Sequence, residues 1–241
     1  MEADRLEPPP EWEGARLVFL DCDSTLSRIE GVDELARRRG LDLGALTRGA
    51  MDGRVPLETV YRERLERIRP AAEDLAWLAR RYEETATPGA RELVAGLREA
   101  GVALRLLSGG LLPALRPFAR FLGLPETAVL AVPYTPPPAG APEEAWQEAI
   151  EAACRHPLAR NGGKPLLVRR EREALGLQRR AVALVGDGVS DLEAAPETGL
   201  FVGFGGAAAR PAVARAASLW LRTPDLARLL PVLRPAPRAR L

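Results

Sequence analysis

The sequence predicts an α/β fold: a parallel sheet with helices on both faces, and a small helical cap inserted after the first strand. Apolar, strand-like runs alternate with helix-patterned segments, the rhythm of a sheet built from crossover units. That rhythm breaks once, from about residue 27 to residue 85, where the patterns are helical only. Polar clusters follow three of the runs, and in open parallel sheets ligands gather at the carboxyl ends of the strands.

The first run, Leu17 to Leu20 (LVFL), is continuously apolar, as suits a strand covered on both faces. It leads directly into Asp21-Cys22-Asp23-Ser24-Thr25. Strand alternation puts Asp21 and Asp23 on one side and Cys22 on the packing side, so the two carboxylates need a proton, a cation or both. The inserted region reads as three helices: GVDELARRRG, PLETVYRERLERIR with Pro56 in its first turn, and AEDLAWLARRY. In the second, Leu57, Val60, Tyr61, Leu65 and Ile68 form an apolar stripe that also carries Arg64. An arginine there either meets an anion or snorkels at the stripe's edge.

The helix ARELVAGLREA, ended by Gly101, precedes a strand over Val102 to Leu107, and Ser108-Gly109-Gly110 follow that strand. A short strand over Val129 to Val132 leads into the stiff, proline-rich VPYTPPPAGAP. The strand over Ala181 to Val185 runs into GDGVSD, Gly186 to Asp191, and further strands cover Leu200 to Phe204 and Ser218 to Leu221. The resulting division is a core of residues 12–26 and 86–234, a cap of residues 27–85, and tails of residues 1–11 and 235–241.

A net charge of +1 and 46% hydrophobic content argue against disorder and supply no global field for nucleic acid or a membrane. The acidic, proline-rich N-terminus lacks an apolar core, so a soluble, cytoplasmic monomer or homodimer is expected. Cys22 and Cys154 lie far apart without a second Cys or His at ligand spacing, and read as buried thiols rather than a disulfide or zinc site. His156, before Pro157, reads as a loop residue. Among 34 Lys+Arg residues there is a single lysine, Lys164, behind Gly162-Gly163 at a helix start. In a chain this biased toward arginine, either the one lysine falls here by chance or, as its place behind a Gly-Gly pair favours, it marks a place for a compact ammonium rather than a planar fork.

A carboxylate at a strand end can attack phosphorus and carry the phosphoryl group, provided the charge of its target is neutralised. Mg²⁺ fits that need with hard oxygen ligands, Asp187 being the natural second carboxylate after Asp21. Ser108 with the N–H groups of Gly109 and Gly110 can cradle phosphate oxygens, Lys164 can offset the transferring charge, and Asp23 can serve as general acid and base. Each of these clusters alone is commonplace. Their order and placement together make the signal.

The segments DCDSTLSRIEGVDELA, RGAMDGRVPL, SGG, GGK, VGDGVSD and FVGFGG occur in an order that resembles the haloacid dehalogenase superfamily and, within it, the phosphoserine phosphatase family. The resemblance spans Asp21 to Gly206. It implies a Rossmann-like parallel-sheet core with a helical cap, and hydrolysis of O-phosphoserine, the last step of serine biosynthesis, through an aspartyl-phosphate. It further implies Asp21 as nucleophile, Asp23 as acid and base, Ser108 and Lys164 as phosphate binders, and Mg²⁺ on Asp21, the Asp23 carbonyl and Asp187, with Asp191 behind them. Glu30 is implied for a substrate ammonium, Arg64 for its carboxylate, Met51 for the cap wall, and Gly109, Gly110 and Ser190 for the phosphate surroundings. Ser190 stands where the family more often shows Asn or Thr, and residues 133–161 do not follow the family pattern. A phosphatase or phosphotransferase acting on another small phosphomonoester is the nearer alternative. A receiver-like signalling module is the more distant one, and it would need neither the cap nor Asp23.

Overall fold

A computed structural model describes residues 3–44, 46 and 56–235. Six strands form one sheet in the order β3-β2-β1-β4-β5-β6, where β1 is Leu17–Leu20, β2 Ala103–Leu111, β3 Val129–Val132, β4 Val182–Gly186, β5 Leu200–Phe204 and β6 Leu219–Leu221. All neighbouring pairs are parallel. Every residue of β1, β4 and β5 is buried, which explains why these strands read as unbroken apolar runs.

Between β1 and β2 the chain forms α1 (Gly31–Arg38), α2 (Leu57–Ile68), α3 (Ala72–Glu84) and α4 (Ala90–Glu99). The stripe on α2 is as expected: Val60, Tyr61, Arg64, Leu65 and Ile68 are buried. Arg69 ends α2 in a left-handed conformation, φ 46°. On the other side of the sheet order, α5 (Leu112–Leu122) packs along α3, with Tyr82 stacked on Phe118 at 5.4 Å between ring centroids.

Two differences from the sequence reading have physical causes. The second strand does not stop at Leu107. It continues to Leu111, and Ser108, Gly109 and Gly110 lie in a stretch where the register against β3 shifts between Leu107 and Leu111. A bulge of that kind turns backbone N–H groups out of the ladder, which glycine permits at little steric cost. Residues 133–161, left without an element beyond the proline-rich connection, contain α6 (Glu143–Cys154). That helix lies against α2. Arg69 makes a bidentate ion pair with Glu143 at 2.6 Å, Arg62 pairs with Glu151, and the Leu57 N–H reaches Asn161 Oδ1 at 3.4 Å. The chain then forms α7 (Gly163–Ala174), α8 (Val189–Ala194), α9 (Pro211–Ala216) and α10 (Leu230–Leu233). No helix among the described residues is long and apolar enough to cross a membrane.

Candidate active site

Asp21 sits one residue past β1, its N–H donating to the Val185 carbonyl at 2.9 Å. Beyond it the chain makes a wide turn, closed by the Leu26 N–H on the Asp21 carbonyl at 3.3 Å and the Ser27 N–H on the Cys22 carbonyl at 3.0 Å. Ser24 holds φ 53° in that turn, a conformation non-glycine residues rarely adopt. Its hydroxyl donates to Glu30 Oε1 at 2.7 Å, so the strained residue links the strand end to the start of α1.

Lys164, in the first turn of α7, places Nζ 2.9 Å from Asp21 Oδ1 and 2.6 Å from Asp191 Oδ1. The other oxygen of Asp191 accepts from the Gly188 N–H at 3.1 Å. Asp191 reaches this position because Gly186 lacks a side chain, since a Cβ there would stand 2.2 Å from the Asp191 carboxyl carbon. Asp187 accepts from Thr25 Oγ1 at 3.2 Å and from Arg210 Nε at 2.9 Å, and Arg210 Nη2 also faces Glu30 Oε1 at 3.4 Å.

Burial dominates the electrostatics. It pushes the Asp21 carboxyl well above the ordinary range, Asp191 adding to the rise and Lys164 opposing it. Asp187 is pushed up to about 6 by burial, against the pull of Arg210. Glu30 rises to about 8 through burial and its neighbours Asp23 and Asp187. Although burial acts against its charge, Lys164 is held above its usual value by Asp191 and Asp21 and stays an ammonium. Asp21, Asp187 and Asp191 can each present one oxygen within 4.8 Å of the other two. This all-oxygen donor set of three converging carboxylates suits a hard divalent cation such as Mg²⁺.

Asp23 is not part of that triad. Its Oδ1 accepts from the Gly31 N–H at 2.7 Å and Tyr82 Oη at 2.8 Å, and its Oδ2 from Ser108 Oγ at 3.2 Å. Burial raises its carboxyl while these donors pull it down. Gly31 is required here, because a Cβ would stand 1.8 Å from the Tyr82 hydroxyl oxygen. Ser108 accepts in turn from the Gly110 N–H at 2.9 Å.

Several of these groups open onto one pocket. Asp21, Asp23, Glu30, Lys164, Gly109 and Gly110 line it. Val32, Leu57, Tyr61 and Arg64 from α1 and α2 line it as well, and Ser190, Arg160 and Glu193 also border the space. Arg64 Nη2 donates to Asp33 Oδ1 at 2.9 Å in a buried pair. Its Nε and the Tyr61 hydroxyl are buried and have no hydrogen-bond partner.

Thus Asp21, Asp23, Glu30, Arg64, Ser108, Gly109, Gly110, Lys164, Asp187, Ser190 and Asp191, distant in sequence, converge in space. Met51 lies outside the described residues. Arg210, Tyr82 and Asp33 were not singled out from the sequence. Arg210 lies in GGAAARP, which has no pattern, and Asp33 and Tyr82 look like ordinary amphipathic-helix residues, so only tertiary placement reveals their partners.

The profile of the haloacid dehalogenase-like hydrolases matches residues 18–196. The chain is 35% identical to human phosphoserine phosphatase over 198 residues, covering 80% of this chain and 82% of that one. It is 32% identical to the chloroplastic phosphoserine phosphatase of Arabidopsis thaliana over 214 residues, 87% of this chain and 69% of that one. A solved structure described as a phospho-aspartyl intermediate analogue of phosphoserine phosphatase superposes with a TM-score of 0.75 at 24% identity, covering 90% of this chain and 98% of the other.

Proposed function

The chain belongs to the haloacid dehalogenase-like hydrolases, and we propose that it is a Mg²⁺-dependent phosphomonoesterase acting on O-phosphoserine, the last step of serine biosynthesis. One observation carries the reading. The strand-end Asp21 lies 2.9 Å from the chain's single lysine, within a group of three converging carboxylates, and faces a pocket whose other wall holds Arg64.

Asp21 is the nucleophile, and Lys164 opposes the burial that raises its carboxyl and so favours the ionised form. Attack of an Asp21 oxygen on phosphorus forms the aspartyl-phosphate and breaks the bond to the serine oxygen, which takes its proton from the Asp23 carboxyl. Asp23, now a carboxylate, takes a proton from the water that attacks phosphorus, and cleavage of the bond to Asp21 releases phosphate. Burial makes Asp23 able to give the proton, while Gly31, Tyr82 and Ser108 stabilise the form that takes one. Ser108, the N–H groups of Gly109 and Gly110, and Lys164 hold phosphate oxygens, with Ser190 beside them. Asp21, Asp187 and the Asp23 carbonyl would hold Mg²⁺, which would supply charge neutralisation for the phosphate dianion. Asp191, engaged by Lys164 and Gly188, orients the lysine from behind.

Arg64 takes the substrate carboxylate and Glu30 its ammonium. An arriving ammonium favours the carboxylate form of Glu30, whose carboxyl otherwise sits at about 8. In this division the chemistry belongs to a core of residues 12–26 and 86–234, and the choice of substrate to a cap of residues 27–85.

The test is phosphate release from a panel of phosphomonoesters, with and without Mg²⁺ after exhaustive chelation. O-phosphoserine with Mg²⁺ should be the best substrate, with turnover lost on chelation. Full turnover without a divalent cation, or a phosphoserine rate no better than that of a simple aryl phosphate, would overturn the proposal.

A further inference from the structure

We infer that Tyr61 is a specificity-determining residue whose phenol hydroxyl donates to the substrate's carboxylate beside Arg64, so that α2 presents a two-donor clamp. The inference rests on the phosphoserine reading above and assigns a role to a residue the stripe pattern marks only as apolar.

Three observations support it. Tyr61 lines the same pocket as Arg64, Asp21 and Lys164, yet it is only 4% exposed and its hydroxyl has no hydrogen-bond partner. A phenylalanine would fill this space without burying an unsatisfied hydroxyl, so the oxygen is unexplained by packing. Next, Arg64 stands three residues on along the same helix face, and its Nε is also buried without a partner although its Nη2 is tied to Asp33. Two orphaned donors on one face, one cationic and one neutral, match the two oxygens of a carboxylate. Finally, burial pushes the Tyr61 phenol up, so it is protonated throughout the neutral range and can act as a donor to an anion.

Leu57, Val32 and Leu158 add apolar lining, while Arg160, whose Nε donates to the Cys154 carbonyl at 2.9 Å, and Glu193 also border the pocket. A ligand group reaching α2 therefore meets the buried, unpartnered donors of Tyr61 and Arg64, which favours an anionic end over a hydroxyl or amide.

The test compares wild type with Tyr61→Phe on phosphoserine and on phosphoethanolamine, which lacks the carboxylate, together with thermal melting. Phosphoserine kcat/KM should fall by about tenfold to a hundredfold, the size of one hydrogen bond to a charged group. Phosphoethanolamine kcat/KM should stay within about twofold, and Tm should hold or rise, because an unpaired buried hydroxyl is removed. If Tyr61→Phe aggregates, Tyr61→Leu provides the same comparison with an apolar wall retained. Undiminished discrimination in the variant would overturn the inference alone, as would a lowered Tm with equal losses on both substrates, the mark of an internal structural bond. A wild type that fails to prefer phosphoserine would overturn the carboxylate-binding reading itself, and the clamp with it.

Discussion

On the sheet side of the pocket each buried charge has a partner, whereas on the helix side two buried donors have none. Lys164 is shared between Asp21 and Asp191, Asp187 accepts from Thr25 and Arg210, and Asp23 accepts from three donors. Across the pocket, Tyr61 Oη and Arg64 Nε stand buried and unmatched. An unsatisfied buried polar atom costs about 1–3 kcal/mol, so the helix side gives up stability that the sheet side retains. Groups that perform a reaction must be oriented before the substrate arrives, and a satisfied network does that. Groups that select a substrate discriminate most when only the right ligand can satisfy them. The two walls therefore divide the work into reacting and choosing.

The sharpest way to break that division is on the sheet side. Asp21→Asn should reduce turnover of any phosphomonoester by at least about 10⁴-fold, because the nucleophile is lost while its neighbours remain. Rapid-quench labelling should find phosphate on Asp21 in the wild type and none in the variant. Label on any other residue would contradict the assignment.

The next largest effect is at Lys164. Its removal strips the counter-charge from Asp21 and Asp191 together, and Lys164→Ala should cost about 10²- to 10³-fold in kcat. Lys164→Arg should not restore the rate, since the planar fork does not fit between two carboxylates that a single Nζ bridges at 2.9 and 2.6 Å. Steady-state rates of the two variants decide it, and a near-normal arginine variant would mean that the chain's one lysine has no special office.

The sheet side was also the more legible of the two in the sequence. Unbroken runs such as Leu17–Leu20 can be little other than doubly covered strands, and the topology then forces Asp21, Ser108 and Asp187 to one edge. A local pattern sufficed because each of these residues is placed by the strand immediately before or around it. The helix side depends on contacts between distant segments. Periodicity put Arg64 on the buried stripe but left open whether it met an anion or solvent, and Asp33, its partner on α1, carries no local signal. Tyr61 counted only as apolar, since nothing in a sequence tells that a hydroxyl is unpaired. The helix α6 went unrecognised behind a proline-rich lead, although Arg69–Glu143 and Arg62–Glu151 make it the support on which α2 rests. Arg210, which joins Asp187 to Glu30, lies in a loop without periodicity.

The division of labour is tested most directly at Arg64, where the expected loss is smaller and depends on the substrate. Wild type and Arg64→Ala are compared on phosphoserine and phosphoethanolamine, with kcat/KM read as a coupling energy. The ratio between substrates cancels any general weakening from loss of the buried pair with Asp33. Wild type should favour phosphoserine by at least about tenfold to a few hundredfold, the worth of a charge-assisted hydrogen bond, and Arg64→Ala should cut that preference by about that factor, down to what Tyr61 sustains, while leaving phosphoethanolamine nearly unchanged. Equal losses on both substrates would mean that Arg64 serves the phosphate or the packing of α2, contradicting the claim that the helix side chooses the substrate.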